Sequence, residues 1–338
     1  MLYSGLDLHK RSVVITTLDE AGRTVQRGKL ACDPLALRSY FARLPGPHAA
    51  AVEATGSWYW VSDLLGREGI DLRLAHAKYL KAIAYAKVKT DAVDSSTLAH
   101  LLRTGLLPEA HMIRPELRAA RDLLRTRLLL VEKRTSARNS MARLLEKYNV
   151  ASPEALPAPA RLQASLFADQ IQLLGRQIRR LEREVQKDLL THPDVQRLLW
   201  VPGIGKLAAL TIHLEVDTIT RFPTERHFFS YCRLVPGSAN SAGRTRHKPS
   251  KDGNRYLKLV FSTAAIRAIQ YFPEIRSWAA RKARTKNKHV ARALVAKELA
   301  RICYHMLRNS TEFNGRFKGV ELGRTKKLEW PRRASPGG

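Results

Sequence analysis

Four acidic residues stand where acids are costly to place. Asp7 lies in Gly5-Leu6-Asp7-Leu8-His9-Lys10 and Glu53 in Ala49-Ala50-Ala51-Val52-Glu53-Ala54-Thr55-Gly56, both apolar runs of strand character. A carboxylate inside such a run is expensive to bury unless it is paired or binds a cation. Asp91 and Asp94 are three residues apart at the head of a helical pattern, so one helix face presents both, with the basic Lys87 and Lys89 just before them. Four carboxylates from three elements can gather around two Mg²⁺ ions, because hard divalent metals prefer oxygen ligands. A two-metal site suits phosphodiester chemistry, since it stabilises both the attacking and the leaving oxygen. Each acid also has an ordinary explanation. Asp7 would be a strand-edge residue and Glu53 the partner of a buried Arg. Asp91 would be a helix N-cap and Asp94 its capping-box acid.

Two segments further on carry a different chemistry. Gly203, Gly205 and Lys206 sit in Trp200-Val201-Pro202-Gly203-Ile204-Gly205-Lys206, between two helical patterns. The run resembles the turn of a helix-hairpin-helix, where glycines let backbone N–H groups approach a DNA phosphate beside the positive end of the next helix. A plain helix–helix turn has the same composition. The stretch from Leu234 to Leu257 surrounds Ser238 and Ser241 with small residues, followed by Arg244, Arg246, His247, Lys248, Lys251 and Arg255. A serine in a flexible loop beside cations is able to attack a phosphodiester and hold the strand covalently, the cations lowering the cost of the alkoxide. On composition alone, a basic loop that grips phosphate and does no chemistry is the better account.

The elements that must position the acids are legible in the first hundred residues. Leu2 to Leu8, Ser12 to Leu18 and Arg23 to Leu30 read as strands, the second and third joined by the turn signal Asp19-Glu20-Ala21-Gly22. Asp33-Pro34 opens a helix to about Leu44. His48 to Ala54 is a strand, Trp58 to Arg67 a helix, Asp71 to Ala75 a strand, and a helix runs from about Asp91 to Thr104. This is the element order of the ribonuclease H-like fold, which carries metal-binding carboxylates on its first strand, its fourth strand and a later helix. Pro115 to Tyr148 lacks strand signal and is rich in Arg and Lys. Asn149 to Ala160 is a connector, and Ala164, Phe167, Ile171, Leu174, Ile178, Leu181 and Val185 form a heptad seam. That seam serves either a packed helical hairpin or an oligomeric coiled coil. Beyond the serine segment, Leu257 to Ala268 and His289 to Met306 read as amphipathic helices, and Arg281 to Lys288 is a basic patch suited to a nucleic-acid backbone.

With 338 residues, 44% of them hydrophobic, the chain can form one large domain or two modest ones. Its net charge of +29 fits a polyanionic partner, since Lys and Arg that neutralise phosphates release counterions. A basic membrane-surface protein is the rival. No apolar run reaches the roughly 20 residues that span a bilayer, and the start, MLYSGLDLHK, lacks a signal-peptide pattern. Cys32, Cys232 and Cys303 are scattered and odd in number, pointing to neither a disulfide framework nor a zinc site. The reading is a soluble cytoplasmic protein, associated with the nucleoid when acting.

Taken together, the chain resembles the DEDD transposases of bacterial insertion sequences, the group of bridge-RNA-guided serine recombinases. Carrying the resemblance are Gly5 to Lys10, Val52 to Gly56, Lys89-Thr90-Asp91-Ala92-Val93-Asp94, the Pro-Gly-Ile-Gly turn, and Ser241-Ala242-Gly243 through Gly253-Asn254-Arg255-Tyr256-Leu257, in family order over nearly the whole chain. The resemblance implies an α/β N-terminal ribonuclease H-like (RuvC-like) DEDD catalytic domain over residues 1–112. It implies an α-helical coiled-coil linker over 113–192, a mainly α-helical C-terminal transposase domain over 193–322 and a disordered basic tail over 323–338. It further implies Mg²⁺ on Asp7, Glu53, Asp91 and Asp94, and a serine nucleophile carried onto Ser241. Donor and target double-stranded DNA, a structured guide RNA and a homotetramer built from dimers are the expected partners. Two alternatives remain open from sequence: a RuvC-like nuclease or junction resolvase using metal and water only, and a nucleic-acid-binding protein without catalysis.

Overall fold

The structure is a computed structural model that describes residues 1–54, 56–83, 90–241, 244–248 and 252–323. It forms two compact units, residues 1–115 and the chain from 116 onward. The tail from Arg324, expected to be disordered, lies outside the described residues, as do Thr55, Lys87 and Lys89.

The first unit is a five-stranded mixed sheet with helices on both faces. Its strands are β1 (Leu2–Leu8), β2 (Ser12–Leu18), β3 (Thr24–Ala31), β4 (His48–Glu53) and β5 (Asp71–Ala75), in the order β3-β2-β1-β4-β5. β1, β2 and β3 pair antiparallel, and β1–β4 and β4–β5 pair parallel. Parallel neighbours need crossover connections, here the helices α1 (Pro34–Ala42) and α2 (Trp58–Arg67). Asp33 caps α1 as expected, its carboxylate accepting the Ala36 N–H at 2.8 Å. Two more helices, α3 (Ala77–Ile83) and α4 (Asp91–Arg103), complete the unit.

Strand alternation sorts the side chains onto two faces. Leu6, Leu8, Val13, Ile15, Ala50 and Val52 pack with Leu37, Phe41, Val61, Leu64 and Leu65 of α1 and α2. The opposite face carries small residues, and α4 lies across it, with Leu98 packed against Ala51 and Ala75. Gly5 permits that approach. A Cβ there would collide with the Ser95 carbonyl oxygen and come within 2.6 Å of the Ala99 nitrogen and 2.8 Å of the Leu98 Cβ. A buried hydroxyl pair, Thr16 Oγ1 to Ser95 Oγ at 2.9 Å, pins the helix at this point.

The second unit is mainly helical. Its elements are α5 (Pro115–Lys147), α6 (Ala158–Leu189), α7 (Pro193–Leu198), α8 (Lys206–Val216), α9 (Glu225–Tyr231), β6 (Gly237–Ser241), β7 (Arg244–Lys248), α10 (Arg255–Tyr271), α11 (Pro273–Thr285), α12 (Lys288–Asn309), β8 (Arg316–Phe317) and β9 (Val320–Glu321). Helices α5 and α6 form an antiparallel hairpin: Leu156, Ala160 and Ala164 pack with Met141, Leu144 and Leu145, and Arg127 pairs with Glu182 at 2.7 Å. The heptad residues of α6 are its buried and half-buried positions, with Ala164, Ile178 and Val185 the most enclosed. The serine segment, read from sequence as a loop, is instead a two-stranded antiparallel hairpin of β6 and β7. Among the described residues, no helix is long and apolar enough to cross a membrane.

A buried carboxylate organises this unit. Glu215 of α8 receives both Arg125 nitrogens, Nε on Oε1 at 2.7 Å and Nη2 on Oε2 at 2.9 Å. Arg121 Nε and Asn254 Nδ2 donate to Oε2 at 3.0 and 2.7 Å. The Asn254 Oδ1 in turn accepts the Tyr256 and Leu257 N–H groups and caps α10. Burial works to raise the Glu215 pKa, but the two guanidiniums and the Asn254 amide outweigh it and hold the carboxyl below its ordinary value.

Two outcomes follow from this packing. Gly5→Ala should overpack the α4–sheet contact and lower the unfolding free energy of the N-terminal unit by about 1–3 kcal/mol, read by urea titration. Glu215→Ala should cost the C-terminal unit about 3–5 kcal/mol, because two guanidiniums lose their buried partner. As the folded pKa of Glu215 lies below its unfolded one, its contribution is complete at neutral pH and is lost as pH falls through the lowered value. Melting temperatures followed from pH 7 downward should therefore converge for the wild type and Glu215→Ala.

Candidate metal centre

Asp7 is the penultimate residue of β1 and Glu53 the last of β4. The parallel register pairs Leu6 with Val52, so Asp7 and Glu53 follow one step on, in adjacent strands. They share the parity of Gly5 and Ala51, hence the face that α4 covers. That helix opens at Asp91, with Asp94 one turn further along the same side. Thr90, not Asp91, is the N-cap: its hydroxyl accepts the Val93 N–H at 3.2 Å. The third helical position, where a capping-box acid would stand, is Val93. Capping therefore accounts for neither Asp91 nor Asp94. Among the described residues no Arg or Lys pairs with Glu53.

The sequence reading overlooked His9. Its Nε2 lies 3.0 Å from Asp7 Oδ2 and 3.3 Å from Asp91 Oδ1, bridging β1 and α4. Ligand atoms of Asp7, His9 and Asp91 all lie within 4.8 Å of one another. Asp7 Oδ2 is buried and, despite the short ion-pair distance to His9, has no aligned hydrogen bond. Burial raises the Asp7 pKa most, His9 opposes that, and the negative charges of Asp94 and Asp91 raise it further. Gathered carboxylates with a buried, unaligned oxygen are a fit receptor for a divalent cation, which removes their mutual repulsion. His9 adds a nitrogen donor of the kind that suits borderline ions such as Zn²⁺ or Fe²⁺, while the carboxylates suit Mg²⁺ or Mn²⁺. The signal that could have found it is its offset: two residues after Asp7, it shares the strand face that α4 covers.

The other expected contacts fall in the second unit. Gly203 has φ +79° and is buried; a Cβ there would collide with the Ala264 carbonyl oxygen of α10. Its glycine thus serves helix packing against α10. Gly205 and exposed Lys206 stand at the N-terminus of α8 with open space around Gly205. Ser241 ends β6 and pairs with Arg244, while Arg246 and Lys248 lie along β7 opposite Ala239 and Gly237. Ala242, Gly243 and Lys251 lie outside the described residues. Arg255 is exposed and reaches Glu132 at 2.6 Å, with its guanidinium over the Tyr256 ring. Also overlooked were His192, Asp194 and His213, whose ligand atoms cluster with the imidazoles 4.1 Å apart. Local structure already uses two of the three: His192 Nδ1 accepts the Asp194 N–H at the head of α7, and Asp194 pairs with Arg197 at 2.8 Å.

Comparison with known proteins places this geometry. Residues 4–150, spanning the sheet unit and α5, match the model of the DEDD transposases of the IS110 type. Residues 195–280 match the model described as "Transposase IS116/IS110/IS902 family". A probable family 20 transposase of Pseudomonas aeruginosa is 28% identical, over 91% of this chain and 97% of its own length. The transposase for insertion sequence element IS1328 of Yersinia enterocolitica is 23% identical over 92% and 98%. The transposase for insertion sequence element IS1111A of Coxiella burnetii is 24% identical over 79% and 78%. Over residues 4–150 and 195–280, and against relatives matched over about nine-tenths of both chains, this chain is similar to the IS110-family DEDD transposases of insertion sequences.

Proposed function

We propose that the chain cuts and rejoins DNA strands through two groups of residues: the Asp7, Glu53, Asp91 and Asp94 quartet, with Mg²⁺ as its metal, and Ser241 as nucleophile. The observation that carries this reading is the convergence of Asp7 and Asp91 on one face of the sheet, with Glu53 in register and Asp94 one turn along α4. In this reading the N-terminal unit is ribonuclease H-like. A bound divalent ion supplies charge stabilisation to a scissile phosphate and its leaving oxygen. The carboxylates orient that phosphate. The Ser241 hydroxyl attacks phosphorus, forming an Oγ–P bond while the P–O bond to the leaving strand breaks; the serine proton passes to solvent and the leaving oxygen ends as a hydroxyl. A strand hydroxyl then attacks the phosphoserine, releases Ser241 and completes the exchange. Arg244, Arg246, Lys248, Lys251 and Arg255, with Gly205 and Lys206, hold the DNA backbone near that step.

The family resemblance carries the remainder of the proposal. The division at 112, 192 and 322 separates catalytic, linker and transposase domains, the heptad seam of α6 serves assembly into a tetramer, and the two halves of the site come from different subunits. A structured RNA selects donor and target DNA, so sequence choice resides outside the protein, which acts on DNA in the cytoplasm. A second reading has one observation in its favour. His9 touches both Asp7 and Asp91 and is itself half exposed, so it is placed to deprotonate a water there, as a metal-dependent nuclease without a serine nucleophile would require.

The two readings separate in one experiment. Ser241→Ala should abolish covalent protein–DNA adducts while leaving DNA affinity intact; undiminished adducts would falsify the serine assignment in favour of water. Asp7→Asn or Glu53→Gln should lower Mg²⁺-dependent strand exchange by about a hundredfold or more, as loss of metal-borne charge stabilisation costs several kcal/mol. Unchanged exchange in both would remove the quartet from the mechanism. RNA that copurifies with the protein, once sequenced, should show a structured species complementary to the element's ends.

A further inference from the structure

An open groove of about 600 Å³ lies beside the carboxylates in the first unit, lined by Val14, Thr16, Arg27, Lys29, Thr90 and Asp91. Strand register explains its composition. Asp7 pairs with Val14 and Val14 with Lys29, so Lys29, Val14 and Asp7 form one cross-strand row on the α4 face. Gly5, Thr16 and Arg27 form the parallel row one pleat away. Because α4 covers Gly5 and Thr16, the cations on β3 remain beyond its edge, and both Arg27 and Lys29 are exposed. Neither forms an ion pair among the described residues, although the carboxylate cluster stands two strands away, about 10 Å at ordinary sheet spacing.

We infer that this groove is a binding site for the phosphodiester backbone of a single nucleic-acid strand, held by Arg27 and Lys29 as it runs to the carboxylate cluster. Two residues apart on one strand face, the two cations are separated by about 6.8 Å, close to the spacing of successive phosphates in an extended strand. Arg27 offers a planar fork for one phosphate and Lys29 a point charge for the next. The apolar floor at Val14 gives a flat surface for a sugar or base. A groove of this volume matches a site for a small ligand or a short stretch of one strand. The inference rests on the reading of the quartet as a phosphodiester-cutting centre. It adds a binding surface on a part of the chain where sequence composition showed only two scattered basic residues.

The test uses the full-length protein. Lysine acylation read by mass spectrometry, with and without a saturating single-stranded DNA oligonucleotide, should show several-fold protection of Lys29. The double variant Arg27→Gln, Lys29→Gln should flatten the slope of log affinity against log salt by about 1.4, two phosphates at about 0.7 each for single strands. An RNA of the same sequence forms the second arm: protection by RNA alone keeps the phosphodiester site and assigns it to an RNA strand. Full acylation of Lys29 with either nucleic acid bound, together with an unchanged salt slope in the double variant, overturns the inference. Failure of the quartet reading is seen separately. If Asp7→Asn exchanges strands as well as wild type while Lys29 is still protected, the groove stands and the cutting centre lies elsewhere.

Discussion

The close approach of α4 to the sheet at Gly5 is the constraint on which the candidate centre depends. Asp91 and Asp94 are adjacent to Asp7 only because the helix backbone touches the strand backbone, and only a residue without a Cβ allows that contact. The Thr16–Ser95 hydroxyl pair then fixes the helix along its axis, since a slide of one turn would leave the buried Thr16 hydroxyl without this partner, while Ser95 keeps its bond to the Ala92 carbonyl. Leu98 against Ala51 and Ala75 supplies the apolar remainder. Small residues on the strands, not large ones, are what bring charge-bearing elements together here, and the larger core of Leu, Val and Phe sits on the other face of the same sheet.

The placement of acids within that frame explains why they are kept in an otherwise apolar neighbourhood. Asp7 and Glu53 occupy the ends of two parallel strands, the edge of a sheet where loops leave space and α/β proteins characteristically bind ligands. Thr90 takes over the capping of α4, so capping is not what places Asp91 and Asp94 there. His9 joins the cluster from the strand side, its Nε2 in reach of both Asp7 and Asp91. The C-terminal unit solves the opposite problem. Glu215 is wholly enclosed by Arg121, Arg125 and Asn254, and its role is to join α5, α8 and the start of α10 rather than to meet a ligand.

Much of the local structure could be read directly from residues. The five strands and most of the helices show their signals plainly: the β-branched run Ser12–Leu18, the Asp33-Pro34 start of α1, and the threes and fours from Ala164 to Val185. The α/β character of the first unit and the helical character of the second follow from those signals. The β6–β7 hairpin was not legible, because Gly237-Ser238-Ala239-Asn240-Ser241 lacks the β-branched and aromatic residues that mark a strand, and cross-strand pairing alone makes it one. Gly203 was legible as a glycine-demanding position, but its packing partner Ala264 was not, being distant in sequence. The pairing of Glu215 with Asn254 gave no signal, since a buried acid on a helix looks the same in sequence as an exposed one.

By itself, then, the order of residues determined the five strands of the first unit and most of its helices, the net charge of +29 and the candidate acids at Asp7, Glu53, Asp91 and Asp94. Those properties depend on near neighbours along the chain and on composition, which a sequence states outright. Only the tertiary structure decided that Thr90 and not Asp91 caps α4, that His9 belongs with the acids, and that Arg27 and Lys29 share a groove with Asp91. Each of these depends on sheet register and on how closely one helix lies against one face. A shift of a single residue in the register of β3 would send Arg27 and Lys29 to the other side of the sheet.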